Sequence, residues 1–172
     1  MSEMSLGSVT PADLLNESLI AFTGCVGEAV EDICSYGLTI GESYVPFDPD
    51  ENDDDEDDDC GEDEAACSQL WVRVTNITPL STEGFDGGTC SSILRIGLEV
   101  GILRCFEINE GGEAPNATQV LLAATQGMDD MNAIYCAAMA CEVWEAINVG
   151  EWTPTGPLGG QYGGIWTFTV ER

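Results

Sequence analysis

Two residue types in this sequence could do chemistry by number alone: cysteine and carboxylate. Eight cysteines stand at 25, 34, 60, 67, 90, 105, 136 and 141. No pair has Cys-x-x-Cys spacing, so the zinc-ribbon and thioredoxin patterns are absent. Their pairing cannot be deduced from spacing alone. Cys34, Cys105, Cys136 and Cys141 fall in apolar stretches, where cysteine is expected to act as a small core residue. Disulfides formed later, in an extracellular particle, are the alternative. A nucleophilic cysteine needs a base, and the chain has no histidine. Imidazole catalysis and histidine-containing zinc sites are excluded with it.

The carboxylates dominate. Thirty-two Asp and Glu face four Arg and no Lys, a formal net charge of −28. Residues 48–64 hold thirteen of these acids and no base; the remaining 19 acids against four arginines still leave −15. A calcium loop starting at Asp48 would need Gly sixth and Glu twelfth, where the chain has Asp53 and Asp59. The run therefore reads as a solvated loop of mutually repelling carboxylates. Asp129, Asp130 and Glu142 read as a solvated helix face. No metal or other cofactor is expected. A basic patch for phosphates cannot be assembled from four arginines, so direct grasp of nucleic acid is unexpected. The glycines of 156–164 have neither the Lys nor the following helix of a phosphate loop.

The elements that position these residues follow from periodicity. In a chain of 172 residues we expect one domain, 1–172, with 48–66 an acidic flexible loop within it. Leu15, Leu19, Phe22, Val26, Ala29 and Ile33 recur at helical spacing after Thr10-Pro11, predicting a helix of about six turns ended by Gly37 and Gly41. A short extended segment covers 43–47. Residues 70–75 alternate and are rich in β-formers. A long strand over 92–106 has Leu94, Ile96, Leu98, Val100 and Ile102 on its buried parity and Arg95 on the other. Gly97 and Gly101 mark a bulge or close backbone approach there. A second helix starts near Pro115-Asn116, with Val120, Leu121 and Ala124 as its first apolar stripe, a bend or break at Gly127, and a continuation through Met131, Ile134, Tyr135 and Ala138. Residues 156–164 form a tight loop into a last strand over 165–170. The order α-β-β-β-α-β predicts an α+β domain, an antiparallel sheet flanked by two main helices. Leu15, Leu19, Phe22, Trp166 and Phe168 are the expected core, with Trp166 facing the first helix. The strands 92–106 and 165–170 are expected to offer open sheet edges for assembly.

No segment approaches a membrane span, so no membrane partner is expected. The opening Met-Ser-Glu-Met-Ser lacks the basic region of a secretory signal, so synthesis in a cytoplasm is expected.

Three segments carry a resemblance: residues 69–74 (QLWVRV), residues 98–105 (LEVGILRC), and the ending 151–170 with its pattern WTP-x-GP-x-GG-x-x-GG-x-W. Over roughly 67–172 the chain resembles neck proteins of siphovirus-type phages of actinobacteria, the tail terminator above all, with the head-tail connector or stopper as neighbours. The run 48–66 resembles an insertion relative to that family. Gln161 stands where relatives often carry Cys, so no bond is carried over there. The resemblance implies a structural virion protein and no enzyme. It implies a ring, typically hexameric, at the top of the tail, made in the bacterial host. The implied partners are further copies of itself, the major tail tube protein and the head-side connector or stopper, with genomic DNA passing an acidic lumen without specific binding. Arg95, Arg104 and the carboxylates Asp53, Asp54, Asp55, Asp57, Asp58 and Asp59 are the candidate interaction residues. A halophilic protein and a DNA-mimicking inhibitor are the readings from other classes.

Overall fold

A computed structural model of the chain describes residues 11–40, 43–47, 68–80, 93–105, 115–158 and 161–172. The expected loop, with Asp53, Asp54, Asp55, Asp57, Asp58 and Asp59, lies outside the described residues. The chain is an α+β fold in which two helices pack on one six-stranded sheet. The elements are α1 (Pro11–Gly27), β1 (Ser35–Ile40), β2 (Ser43–Phe47), β3 (Gln69–Pro79), β4 (Leu94–Cys105), α2 (Ala117–Ala140), β5 (Ala146–Leu158) and β6 (Gln161–Glu171). The sheet order is β2-β1-β3-β4-β6-β5. Every neighbouring pair is antiparallel except β1 and β3, which run parallel, so the sheet is mixed.

Two strands exceed the expectation from sequence. β1 occupies residues expected at the end of the first helix, and β5 occupies residues for which the sequence predicts no strand, its end reaching into the expected loop at 156–164. α1 stops at Gly27, well short of six turns. Its chain leaves through tight turns, with the Ala29 N–H donating to Val26 O and the Val30 N–H to Gly27 O. Asp32 then adopts a left-handed φ of 55°, a conformation that cannot propagate a right-handed helix. The extra strands also move the edges. β4 lies between β3 and β6, and β6 between β4 and β5, so neither is an edge strand; among the described residues the edge strands are β2 and β5.

Alternation along the central strands directs one parity to the helices. Leu70 and Val72 of β3, Ile96, Leu98, Val100 and Ile102 of β4, and Phe168 and Val170 of β6 are buried with Leu19, Phe22 and Val26 of α1 and Ile134 and Ala138 of α2. Leu15 is partly buried against this cluster. Phe22 meets Phe168 edge-on, with ring centroids 6.2 Å apart. Trp166 shares that parity but faces α2 instead of α1. Its Nε1–H donates to Met131 O at 2.9 Å, and its ring packs on Tyr135, Trp152 and Phe168.

The opposite face carries cross-strand ion pairs set by register. Arg73 stands opposite Glu99 and Arg95 opposite Glu171. Gly101 lies opposite Trp71, and a Cβ there would run into the indole ring. A bulge on β3 between Val74 and Asn76 faces Gly97. Both glycines thus sit at the close approaches that such positions suggest.

α2 starts where expected. Asn116 is its N-cap, accepting from the Thr118 and Gln119 N–H groups at 3.0 Å, while Gln119 Oε1 accepts from the Asn116 N–H in return. This capping box satisfies the first free amides. The helix runs unbroken through Gly127.

Candidate functional site

β4 keeps its buried parity to the end, and that parity brings Arg104 inward after Ile102. The side chain is only 6% exposed. Its Nε–H and Nη2–H donate to Asp130 of α2 at 2.8 and 2.7 Å, a two-pronged pair with a carboxylate that is 2% exposed. The remaining donors reach the turn after α1, with Nη1–H to Asp32 O at 3.1 Å and Nη2–H to Glu31 O at 2.7 Å. One guanidinium therefore ties together β4, α2 and the α1–β1 turn. Burial alone would lower its pKa, but the Asp130 hydrogen bond and charge outweigh burial and hold it above the ordinary value. Asp130 is thus an internal partner and not part of a solvated face. Arg104 is likewise committed within its own chain and is not available as an interaction residue.

Tyr162 of β6 stands opposite Arg104. Burial pushes its phenol pKa up, opposed by Arg104 and assisted by Asp130. Beyond Tyr162 lies a groove of about 490 Å3 between α2 and the β5–β6 hairpin. Val120, Met128 and Met131 of α2 form one wall, and Trp152, Pro154 and Tyr162 the other. Gly164 sits under Trp152, where any Cβ would run into the indole. The WTP…GG…W pattern is therefore the hairpin that builds this wall. The groove is mostly apolar; Tyr162 and Thr155 supply its hydroxyl groups, and among the described residues no carboxylate, thiol or amine lines it.

α2 also turns several large apolar side chains to solvent. Leu121 is 67% exposed, and Leu122 and Met128 are each 65% exposed; Val120, Tyr135 and Met139 are exposed as well. The stripe expected from Val120 and Leu121 is an outer face and not core. The core stripe runs through Ile134 and Ala138, as expected, and through Ala137. Spacing alone could not separate the two, because α2 is apolar on several sides.

All four arginines are engaged within the chain. Arg73 donates to Glu99, Arg95 to Glu171 at 2.8 Å, Arg104 to Asp130, and Arg172 to Val143 O at 3.0 Å. Arg95 is exposed and holds a carboxylate of its own chain. The cysteines depart from the expectation of core thiols. Cys25 and Cys141 form a disulfide joining the end region of α1 to the end of α2, with Cα atoms 6.4 Å apart. Cys34 and Cys105 are disulfide-bonded too, while Cys136 is a free thiol on the exposed side of α2. Disulfides displace buried thiols here because the topology brings distant turns together, which sequence spacing does not report.

Among the described residues, no helix is long and apolar enough to cross a membrane, and no three potential ligands gather as a metal site. No family model matches the sequence, and no curated protein matches it.

Proposed function

We propose that this chain is a structural ring protein of a phage neck, a tail terminator that caps the tail tube and joins it to the head-side connector. The observation that carries the reading is the contrast between charge and apolar surface. A chain of net charge −28 exposes a long helix whose only charged residues are Asp129 and the buried Asp130. A helix apolar on so many sides belongs in an interior or an interface. The groove beside it is mostly apolar, with Tyr162 and Thr155 as its hydroxyl-bearing side chains, a lining that suits assembly.

Two further features support the reading. The ending that resembles neck proteins is the hairpin that walls the groove. The disulfides suit a protein whose final residence is oxidising, as a released particle is. With every arginine held internally and an excess of carboxylates, a ring of such subunits repels phosphate and lets DNA pass. Its partners are then other copies of itself, the tail tube protein and the head-side connector or stopper. The test is direct: the purified full-length chain, imaged by negative stain at 0.1 and 1 M NaCl, should form closed rings, and deletion of its gene should leave tails of uncontrolled length. A strict monomer under all conditions, with normal tails after deletion, would overturn the proposal.

A further inference from the structure

Four exposed apolar side chains of α2 form one line. At about 100° per residue, Leu121, Met128, Tyr135 and Met139 fall within about 40° of one another, and all four are exposed. Leu122 lies on another side, about 100° from Leu121. The line is continuous with the groove, because Met128 belongs to both and Tyr135 packs on Trp166 next to Trp152. From Leu121 to Met139 it runs about 27 Å, or about five turns. The sheet extends past the helix on this side. α2 sits on β6, where Trp166 donates to Met131 O, and β5 lies one strand further out. The helix-facing side chains Ile147, Val149 and Trp152 of β5 are only partly buried. Among the described residues, the helical layer therefore stops at α2, with the groove open beside it.

Charge decides what fits there. Between Arg104 and Arg172 the chain carries nine acids and no base. Asp130 and Glu171 are paired with arginines of the chain, whereas Asp129 of α2, Glu142 and Glu145 of the α2–β5 turn and Glu151 of β5 are exposed. The two elements that bound the groove, and the turn between them, thus carry exposed charge of one sign. A second copy, a nucleic acid or an anionic membrane brings the same sign and is repelled. An added strand finds no N–H to pair with at Pro154 and Pro157, at the groove end of β5. From this geometry we propose that the groove and the line beside it dock a basic amphipathic helix of a partner protein. Its apolar face lies against Met128, Met131 and Trp152, and its lysines or arginines turn toward the exposed carboxylates. Helix-in-groove recognition reads apolar anchors three and four residues apart, and the flexible methionines at 128, 131 and 139 can adapt to them. The inference stands apart from the ring reading: a monomeric chain that binds such a helix satisfies it.

The probe is a fluorescein-labelled peptide of leucine and lysine, about 18 residues long to match the line, with its leucines on one helical face. It is titrated with the full-length chain in about 0.15 M NaCl and read by anisotropy. A peptide of the same composition with scattered leucines keeps the charge without the apolar face. A leucine–glutamate peptide keeps the face and reverses the charge. The amphipathic lysine peptide should bind at least about tenfold more tightly than the scattered one, and the glutamate peptide should not bind. Leu121→Ser with Met128→Ser should weaken binding at least about tenfold, since two large apolar side chains leave the contact. Gly127→Gln puts a side chain into the groove, where a Cβ would meet nothing within 4 Å, and should weaken binding as much with no loss of melting temperature. Leu122→Ser, on another side of the helix, should leave binding unchanged. Equal binding of the two lysine peptides would reduce the effect to net charge and overturn the site. Binding that survives both the double serine variant and Gly127→Gln would place the contact elsewhere and overturn it too. A wild type that refuses the peptide but self-associates in 1 M NaCl through Leu121 and Met128 would assign this face to a second copy and overturn the proposal while leaving the ring reading in place.

Discussion

Replacing Asp130 by Asn isolates the buried ion pair, because the side chain keeps its shape and opens no cavity. Arg104 would remain charged, 6% exposed, and short of the carboxylate that accepts two of its bonds. The Glu31 and Asp32 carbonyls would still accept from it, but a carbonyl dipole does not balance a full charge. Breaking a buried pair from one side costs about 3–5 kcal/mol. Against a total stability of about 5–15 kcal/mol, that is a large fraction. At about 2–4 °C per kcal/mol for a chain of this size, the melting temperature should fall by about 6–20 °C. The urea midpoint, measured with disulfides intact, should fall by about 2 M for a typical slope. The double variant Arg104→Met with Asp130→Leu should recover most of this, since an apolar pair of similar volume removes both desolvated charges. Its remaining deficit should reflect the α1–β1 turn, whose carbonyls lose their donor and turn to water. If Asp130→Asn melts within about 3 °C of wild type, the pair is not the desolvated tie described above.

Four other outcomes follow from the same packing. Trp166→Ala should lose about 3 kcal/mol in chemical denaturation, the low end for a buried aromatic because the ring is partly exposed. Arg95→Ala, at an exposed pair with Glu171, should change stability by less than about 1 kcal/mol, and a larger loss would show that the pair is not solvated. The raised Tyr162 pKa means that the folded chain keeps a phenolic proton which the unfolded chain releases near its ordinary pKa of about 10. Its contribution is complete below that pH and is lost as pH rises through the folded-state value, so the fall in urea midpoint from about pH 9 to 11 should be smaller in Tyr162→Phe than in wild type. Replacing Cys25 and Cys141 together by Ser removes a crosslink across 116 residues and should lower stability by about 2–5 kcal/mol, readable as a lower melting temperature without reductant.

Local rules account for the elements that are legible in the sequence. The alternation of 92–106 and the β-rich segments at 43–47 and 70–75 sit on β4, β2 and β3 because a period of two needs only neighbouring residues to declare itself. Pro115-Asn116 opens α2 because a cap is a contact within three residues. β5 escapes such rules since Pro154, Gly156 and Pro157 read as a loop, whereas an edge strand tolerates proline where no ladder donor is needed. β1 escapes them because its few residues follow a helical stripe directly, and the turn that separates them depends on Arg104 from a distant strand.

Composition and residues close along the chain are enough to set the α+β class, the inward parity of β4 from Leu94 to Ile102, the net charge, and the absence of imidazole chemistry. Packing in three dimensions sets which side of α2 is core, which carboxylate neutralises Arg104, which cysteines join and which strands form the edges. Those depend on pairs such as Arg104 with Asp130 or Cys25 with Cys141, separated by 26 and 116 positions. Only the packing of α2 against α1 and the sheet brings them together, and among the described residues the same packing leaves Leu121 and Leu122 exposed.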